Sequence, residues 1–263
     1  MIVFIKEKKT MEARTLASLE SNLKFLKLPV ILKNYLEMAK TCLEDKYSYE
    51  QYLHCLSEKE IEERRDKKIK YLLKLAKFPV QKLLTDYDFS QITVKKENII
   101  QLCHGNFLAE SSNIVLYGTP GTGKTHLAIS IGRELCLKGF KVQFFTCSSL
   151  IQELVKAKNN LTLTNLFNKL RSIDLIIIDE LGYVPFNRDE GDLLFQFISD
   201  RYERKSILIT TNLTFKEWDT IFKNPMVTSA AVDRIIHHSQ IYEFSKDTSY
   251  RTEMAKKKLQ NNR

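Results

Sequence analysis

Long apolar runs are absent from the sequence: no stretch approaches the roughly 18 consecutive apolar residues that a membrane-spanning helix needs. The first residues show no signal-peptide pattern, because charged residues follow a short apolar run. The five cysteines form no CxxC pair, and no histidine lies at metal-ligand spacing. We therefore expect a cytoplasmic protein with no membrane partner, whose cysteines are buried or half-buried thiols.

Acidic residues are the minority charge, with 32 Asp and Glu against 41 Lys and Arg, which gives a formal net charge of +9. Such an excess attracts polyanions, so nucleic acid is favoured as a partner over an anionic membrane surface. Many basic proteins bind no nucleic acid, and charge alone does not decide. The 263 residues suffice for one α/β core and a smaller domain.

Glycine is absent from residues 12–84, and Pro29 and Pro79 are the only prolines there. Apolar residues recur at helical spacing, which predicts a small all-α domain with helix boundaries before each proline. A basic stretch at 62–77 is explained equally by a solvated helix face and by contacts to a phosphate backbone. Residues 1–11, which end at a second methionine, are treated as a candidate extension from an alternative start.

Short apolar strands alternate with helices from residue 97 onward, after a turn-rich segment at 85–96 that we interpret as a linker. Strands are predicted at 113–117, 141–145, 174–178, 206–210 and 240–244. This order is typical of an α/β fold in which a parallel sheet lies between helical layers. Few residues follow the fifth strand, so we expect one further helix and no C-terminal lid domain.

A glycine-rich segment joins the first predicted strand to the next helix: GTPGTGKT at residues 118–125 matches GxxxxGK[ST] in full. Glycines let backbone N–H groups approach phosphate oxygens, and the start of a helix favours an anion. Lys124 supplies charge at the β- and γ-phosphates of ATP, and the Thr125 hydroxyl ligates Mg²⁺. A chance match is disfavoured by the position between a strand and a helix. The predicted ATP-binding residues are Gly118, Thr119, Pro120, Gly121, Thr122, Gly123, Lys124 and Thr125.

Two carboxylates, Asp179 and Glu180, follow the apolar run at 175–178. They come at the C-terminal end of a predicted parallel strand, where open α/β sheets bind their ligands. Asp179 is predicted to hold Mg²⁺, directly or through water, and Glu180 to orient or deprotonate the attacking water. The alternative, an acidic strand end that caps the next helix, is disfavoured by the loop upstream. The sequence therefore predicts an enzyme that hydrolyses ATP.

Three further polar residues each have two interpretations. Asn212 follows the fourth predicted strand, where its amide reaches the γ-phosphate or the lytic water, or else forms a turn or a helix N-cap. Arg234 and Arg251 either pair with surface carboxylates or stabilise the γ-phosphate, in cis or from a neighbouring subunit. The residues alone do not choose between these roles.

We assign no catalytic or metal-binding role to the single tryptophan or to three of the histidines. Trp218 is predicted to be a core anchor rather than a base-stacking platform. His126, His237 and His238 have no partners at metal spacing in the sequence, so we interpret them as packing or phosphate-proximal residues.

Segments from residue 16 to residue 251 resemble the IstB-like family, the ATP-binding helper proteins of bacterial insertion sequences. This family is related to the DnaC helicase loaders within the AAA+ class. The P-loop is common to many ATPases, so more specific segments carry the resemblance: 76–79, 180–185 and 233–238. Further similar segments lie at 26–29, 48–53, 84–89, 117–128, 177–179, 194–204, 211–218 and 249–251.

The resemblance implies residue roles and an assembly. Asn212 would be the sensor-1 residue, Arg234 an arginine finger acting across a subunit interface, and Arg251 the sensor-2 residue. The protein would form an ATP-dependent homo-oligomer on duplex DNA and deliver target DNA to a transposase of the same element. The implied fold is a P-loop AAA+ sheet, at 97–263, preceded by a helical DNA- or partner-binding domain at 12–84.

Three other functions are compatible with the same ATP site. The first alternative is a DnaC-like helicase loader with a helicase as client, although the similar segments favour transposition. A kinase or metabolic P-loop enzyme is disfavoured by Glu180 and by the lack of an evident acceptor-binding domain. The last is a scaffold in which ATP binding drives assembly and hydrolysis is incidental.

Overall fold

The computed structural model describes residues 2–183 and 185–244, with side chains for all of these except residues 2–13 and 91. Contacts divide the chain into two compact units, Met1–Lys70 and Tyr71–Arg263. No helix within the described ranges is long and apolar enough to cross a membrane. The expected absence of a lid domain concerns residues after Phe244, which lie outside the described part of the chain.

The first unit is helical, as the periodicity predicts. Pro29 lies in the first turn of its helix, where its missing N–H has no partner to lose. A small core contains the buried side chains of Leu23, Tyr35 and Leu56. The three helices are α1 (Ile2–Phe25), α2 (Pro29–Glu44) and α3 (Tyr49–Ala76), the last of which ends within the second unit.

A buried carboxylate on α3 holds the start of α2. Glu60 is 4% exposed and accepts hydrogen bonds from the backbone N–H groups of Val30 (2.9 Å) and Ile31 (3.1 Å). Arg64 Nε donates to the same carboxylate at 2.9 Å. Burial alone would raise the pKa of Glu60, but the hydrogen bonds from Arg64 and the two backbone groups lower it. Arg64 therefore has a structural role.

The second unit contains a five-stranded sheet with strand order β2-β3-β4-β1-β5, in which all neighbouring strands are parallel. The predicted parallel α/β fold is confirmed. Its elements are α4 (Lys96–His104), α5 (Asn106–Ala109), β1 (Asn113–Gly118), α6 (Lys124–Leu137), β2 (Val142–Thr146), α7 (Cys147–Asn159), α8 (Leu163–Arg171), β3 (Leu175–Leu181), α9 (Arg188–Arg201), β4 (Ser206–Thr211), α10 (Asp219–Phe222), α11 (Pro225–Ile236) and β5 (Ser239–Phe244), with short 3-10 helices at Leu84–Asp86, Phe89–Gln91 and Phe215–Trp218.

Both faces of the sheet are buried, because successive strand residues point to opposite sides. Ile176 and Ile178 of β3 pack in one core with α7, α9 and α11, while Leu175 and Ile177 pack in a second core with α4 and α6. Trp218 is fully buried in the first core, as predicted. The five cysteines are free thiols, and all are buried or half-buried.

The predicted linker at 85–96 belongs to the second unit instead. Leu84, Tyr87, Phe89 and Ile92 pack against the core that contains α6. The division between units falls at residue 70, inside α3, whereas the sequence placed the end of the helical domain at 84. The polar turn residues suggested a linker. Burial of the apolar residues between them against the second unit stabilises the folded state, and this places the segment in that unit. The DNA- or partner-binding role of the helical domain stays a prediction.

Candidate nucleotide site

The loop at 118–125 follows β1 and leads into α6, and its first and last glycines have backbone conformations that other residues rarely adopt. Gly118 has φ 138° and Gly123 has φ 87°. A Cβ on Gly118 would lie 2.0 Å from the Phe244 carbonyl oxygen, and one on Gly123 would lie 2.5 Å from Cε2 of Tyr87. The loop therefore forms a closely packed backbone cradle at the start of a helix, which fits a phosphate group.

The ammonium of Lys124 lies against this loop. Lys124 Nζ donates to the carbonyl oxygens of Gly118 at 2.7 Å and Thr119 at 2.8 Å. The Thr122 hydroxyl closes the loop on itself by donating to the Thr119 carbonyl at 2.9 Å. A full positive charge is thus held beside the backbone cradle, where it can pair with phosphate oxygens.

The acidic pair lies in a β-bulge between β3 and β4. Ile178 pairs with Ile209 and Leu181 with Thr211, so Asp179 and Glu180 together face one residue of β4. A bulge redirects side chains, and here Asp179 is 4% exposed while Glu180 faces solvent. The N-cap of the next helix, α9, is Asn187. The alternative role of the acidic pair as a helix cap is therefore wrong.

Glu180 has a φ of 62°, in the left-handed region that is uncommon for residues with a side chain. Such conformations cost free energy and cluster at functional sites, where the surrounding structure holds them in place. The bulge gives the two carboxylates separate environments: one buried against the P-loop and one in contact with solvent. This arrangement suits one carboxylate for binding a metal ion and the other for contacting water.

A hydroxyl that the sequence analysis missed joins the two halves of the site. Thr210 of β4 is 2% exposed, donates a hydrogen bond to Asp179 Oδ1 and accepts one from the Glu180 backbone N–H at 3.0 Å. Thr125 of the P-loop donates to the same Asp179 Oδ1 at 2.8 Å. Since β4 lies between β1 and β3, Thr210 is the residue that the bulge leaves opposite the acidic pair.

The same contacts test whether Mg²⁺ fits. Mg²⁺ prefers oxygen ligands and is usually bound by one or two carboxylates together with substrate phosphates. Thr125 and Asp179 bring a hydroxyl and a carboxylate oxygen to one point beside the phosphate cradle. These residues fit the ion as its protein ligands.

Thr210→Val is expected to slow ATP hydrolysis by about tenfold or more, because it leaves the part-buried Glu180 N–H without its acceptor, at a cost of about 1–3 kcal/mol to the observed position of the acidic pair. Thr210→Ser keeps the hydroxyl and is expected to keep most of the activity. Phosphate release, measured beside ATP affinity and the melting temperature, checks the effect. A Val variant with parental turnover would show that this hydroxyl does not position the acidic pair.

Asn212 lies in the bend just beyond β4, with an exposed side chain. The cap of the following 3-10 helix is Thr214, whose hydroxyl donates to Glu217 Oε2 at 2.8 Å in a capping box. The interpretation of Asn212 as a helix N-cap is therefore wrong. Its contact with the γ-phosphate stays a prediction.

The side chain of Tyr87 packs against the P-loop. The Tyr87 hydroxyl donates to the Thr122 carbonyl at 2.7 Å, and its ring packs edge-on against His126, with centroids 5.3 Å apart. His126 Nε2 in turn lies 2.8 Å from the Leu83 carbonyl oxygen. Burial raises the pKa of Tyr87, so its hydroxyl stays neutral and keeps its proton for this hydrogen bond. The packing role predicted for His126 agrees with these contacts, whereas the role of Tyr87 was not predicted.

Arg234 lies at the edge of the sheet opposite the P-loop. Its neighbour Ile235 accepts a hydrogen bond from the side chain of Asn113 at 3.2 Å, and Asn113 is the first residue of β1, whereas Gly118 is the last. The six residues of β1 separate these ends by about 16 Å. The guanidinium donates to the Ala230 carbonyl at 3.0 Å and stacks on the Phe195 ring at 5.0 Å. Arg234 therefore does not reach the P-loop of its own chain.

The third candidate of this group, Arg251, lies outside the described residues. Its predicted contact with the nucleotide stays a prediction.

Comparison with known proteins gives the chain a family context. A family model described as "IstB-like ATP binding protein" matches residues 21–258. An insertion-sequence ATP-binding protein of Sinorhizobium fredii is 38% identical over 232 residues, which are 88% of this chain and 78% of the relative. One from Geobacillus stearothermophilus is 36% identical over 236 residues, or 89% of this chain and 93% of the relative.

Among solved structures, AMPPCP-bound DnaA from Aquifex aeolicus superposes with a TM-score of 0.54 at 20% identity, covering 70% of this chain and 56% of that chain. This likeness concerns the fold alone.

Proposed function

Because the chain belongs to the IstB-like ATP-binding protein family, we propose that it hydrolyses MgATP in order to assist a transposase on duplex DNA. The observation that carries the ATPase part is the meeting of Thr125 with buried Asp179, beside an exposed Glu180. A site that only bound nucleotide would not need a solvent-facing carboxylate next to its metal ligand.

Each residue of the site has its own role in this proposal. The P-loop backbone and Lys124 bind the phosphates of ATP, while Thr125 and Asp179 would hold Mg²⁺, which would supply positive charge beside the phosphate oxygens. Glu180 accepts a proton from water as the water oxygen attacks the γ-phosphorus. The bond to the β-phosphate oxygen breaks, and ADP and phosphate are the products.

We propose that a second copy of the chain completes the site. Arg234 does not reach the P-loop of its own chain, since it lies beside the opposite end of β1. A guanidinium supplied by a neighbouring subunit can stabilise charge on the transferred phosphoryl group. This geometry supports an ATP-dependent homo-oligomer and favours action in trans over action in cis.

Duplex DNA and a transposase are the proposed partners. Both relatives are named for insertion sequences, and this supports a transposition role over that of a helicase loader. The net charge of +9 is compatible with a phosphate backbone as ligand. The location that we propose, from the sequence, is the cytoplasm.

Partner identity can be tested by DNA capture. A bead-bound transposase of the same element should retain duplex DNA when this protein and ATP are both present. Retention should be lost with ADP. Capture by the replicative helicase instead of the transposase would overturn the transposition role in favour of the loader.

DNA affinity is expected to be steeply dependent on salt, and Arg65, Lys68 and Lys70 are our candidates for binding phosphates. All three are exposed on α3. Arg64 and Lys67 are left unchanged because they pair with Glu60 and Glu63. Replacing the three candidates with Gln should reduce the steepness of log affinity against log salt by about 0.9 for each phosphate that the variant no longer neutralises.

The matched control removes three exposed lysines from the second unit, Lys156, Lys158 and Lys169. It lowers the net charge equally, so an equal change of slope in both triple variants would indicate a bulk charge effect. An unchanged slope in the α3 variant would place the DNA-binding surface elsewhere.

A further inference from the structure

Two turns meet at the sheet edge opposite the P-loop. Glu203 lies in the turn that precedes β4, while His237 and His238 lie in the turn between α11 and β5. One ligand atom of each residue lies within 4.8 Å of the others, and all three residues are exposed. His238 Nε2 is 3.7 Å from Glu203 Oε1, and the two imidazole ring centroids are 4.1 Å apart.

Neighbouring groups orient this cluster. The Tyr202 hydroxyl lies 3.0 Å from His237 Nδ1. A histidine that bonds a metal through one ring nitrogen commonly makes a hydrogen bond through the other, which fixes its tautomer. The nearby Arg204 guanidinium pairs with Asp200 at 3.8 Å, which limits its competition for Glu203.

We propose that Glu203, His237 and His238 form a binding site for a divalent first-row transition metal, with Zn²⁺ as the reference ion. Two imidazoles and one carboxylate are a common donor set for zinc, and three protein ligands leave a coordination position for water or a fourth group. Exposure gives the ion direct access from solvent. This site is separate from the ATP site and does not depend on the proposed ATPase function.

The bound metal would link the turn before β4 to the turn before β5. Arg234 precedes His237 by less than one helical turn on α11, so the ion would also anchor the end of the helix that presents this arginine. No sequence pattern indicated the site, because Glu203 is far from the two histidines along the chain.

Titration of the untagged, nucleotide-free protein with Zn²⁺ alone tests the proposal by calorimetry. We expect one Zn²⁺ per chain in the parent. Glu203→Gln and His238→Ala should each weaken binding by at least about tenfold, the loss that follows removal even of an outer-shell partner. His54→Ala removes an exposed histidine from the other unit and should bind as the parent does. Cys55→Ser, the matched thiol control, should also be unchanged.

Melting curves provide an independent readout. A metal that binds only the folded state raises the melting temperature, so the same concentration of Zn²⁺ should stabilise the parent and His54→Ala more than it stabilises His238→Ala. Curves without metal check that each variant folds. Failure of the parent to bind Zn²⁺, or equal affinity in the parent, Glu203→Gln and His238→Ala, would overturn the proposal.

Discussion

Glu180→Gln is expected to stop ATP turnover while the protein still binds ATP. An amide cannot accept the proton of the attacking water, and loss of a general base costs about 10²- to 10⁴-fold in rate. Asp179, Thr125 and the P-loop are unchanged, so the contacts that hold nucleotide persist. Phosphate release at saturating ATP, measured beside equilibrium binding of a fluorescent ATP analogue, separates the two effects.

Lys124→Ala is the matched variant, which is expected to weaken ATP binding itself. Removing the ammonium that lies against the loop takes away charge-assisted hydrogen bonds worth about 1.5–3 kcal/mol, so ATP affinity should fall by about tenfold to 100-fold or more.

Parental hydrolysis by Glu180→Gln would mean that another group activates the water. If Glu180→Gln captured DNA with ATP as well as the parent does, the scaffold alternative, in which hydrolysis is incidental, would be favoured.

Arg234→Ala is expected to lower the hydrolysis rate of the assembled protein by about 10³- to 10⁵-fold, the range for loss of an arginine finger. ATP affinity should change little, because Arg234 lies at the opposite edge of the sheet from the P-loop of its own chain. Turnover measured above the assembly concentration, with oligomer size checked by light scattering, tests this expectation. Arg204→Ala is the control, since Arg204 is an exposed arginine paired with Asp200.

Mixing Arg234→Ala with Glu180→Gln distinguishes action in trans from action in cis. Each interface would take its base from one subunit and its arginine from the next, so some mixed interfaces contain both intact groups. Partial recovery of turnover is therefore expected at intermediate ratios. No recovery at any ratio, in mixtures that assemble, would contradict the trans arrangement.

Local sequence patterns were sufficient to predict the five strands of the second unit. The apolar run at 175–178 is a fully buried strand, and the loop at 118–125 joins β1 to α6. Both features depend on residues that are adjacent in the chain. The error at 85–96 has the same origin: the turn residues were recognised, but the burial of Tyr87 and Phe89 depends on surfaces that lie far along the chain.

The candidate nucleotide site also contains residues that the sequence predicted and one that it did not. Gly118, Lys124 and Thr125 belong to one contiguous motif, and Asp179 and Glu180 follow one apolar strand, so the sequence alone predicted them. Thr210 was not recognised as a hydrogen-bond partner of the acidic pair, because its contacts arise from the register between β3 and β4.

Residue order was enough to predict the parallel sheet, the phosphate loop and the acidic strand end, because each is formed by residues that are neighbours along the chain. Three features required the folded chain: the bulge that turns Asp179 inward and Glu180 outward, the position of Arg234 away from its own P-loop, and the approach of Glu203 to His237 and His238. These features depend on strand register and on helix packing, which bring together residues that are distant in sequence.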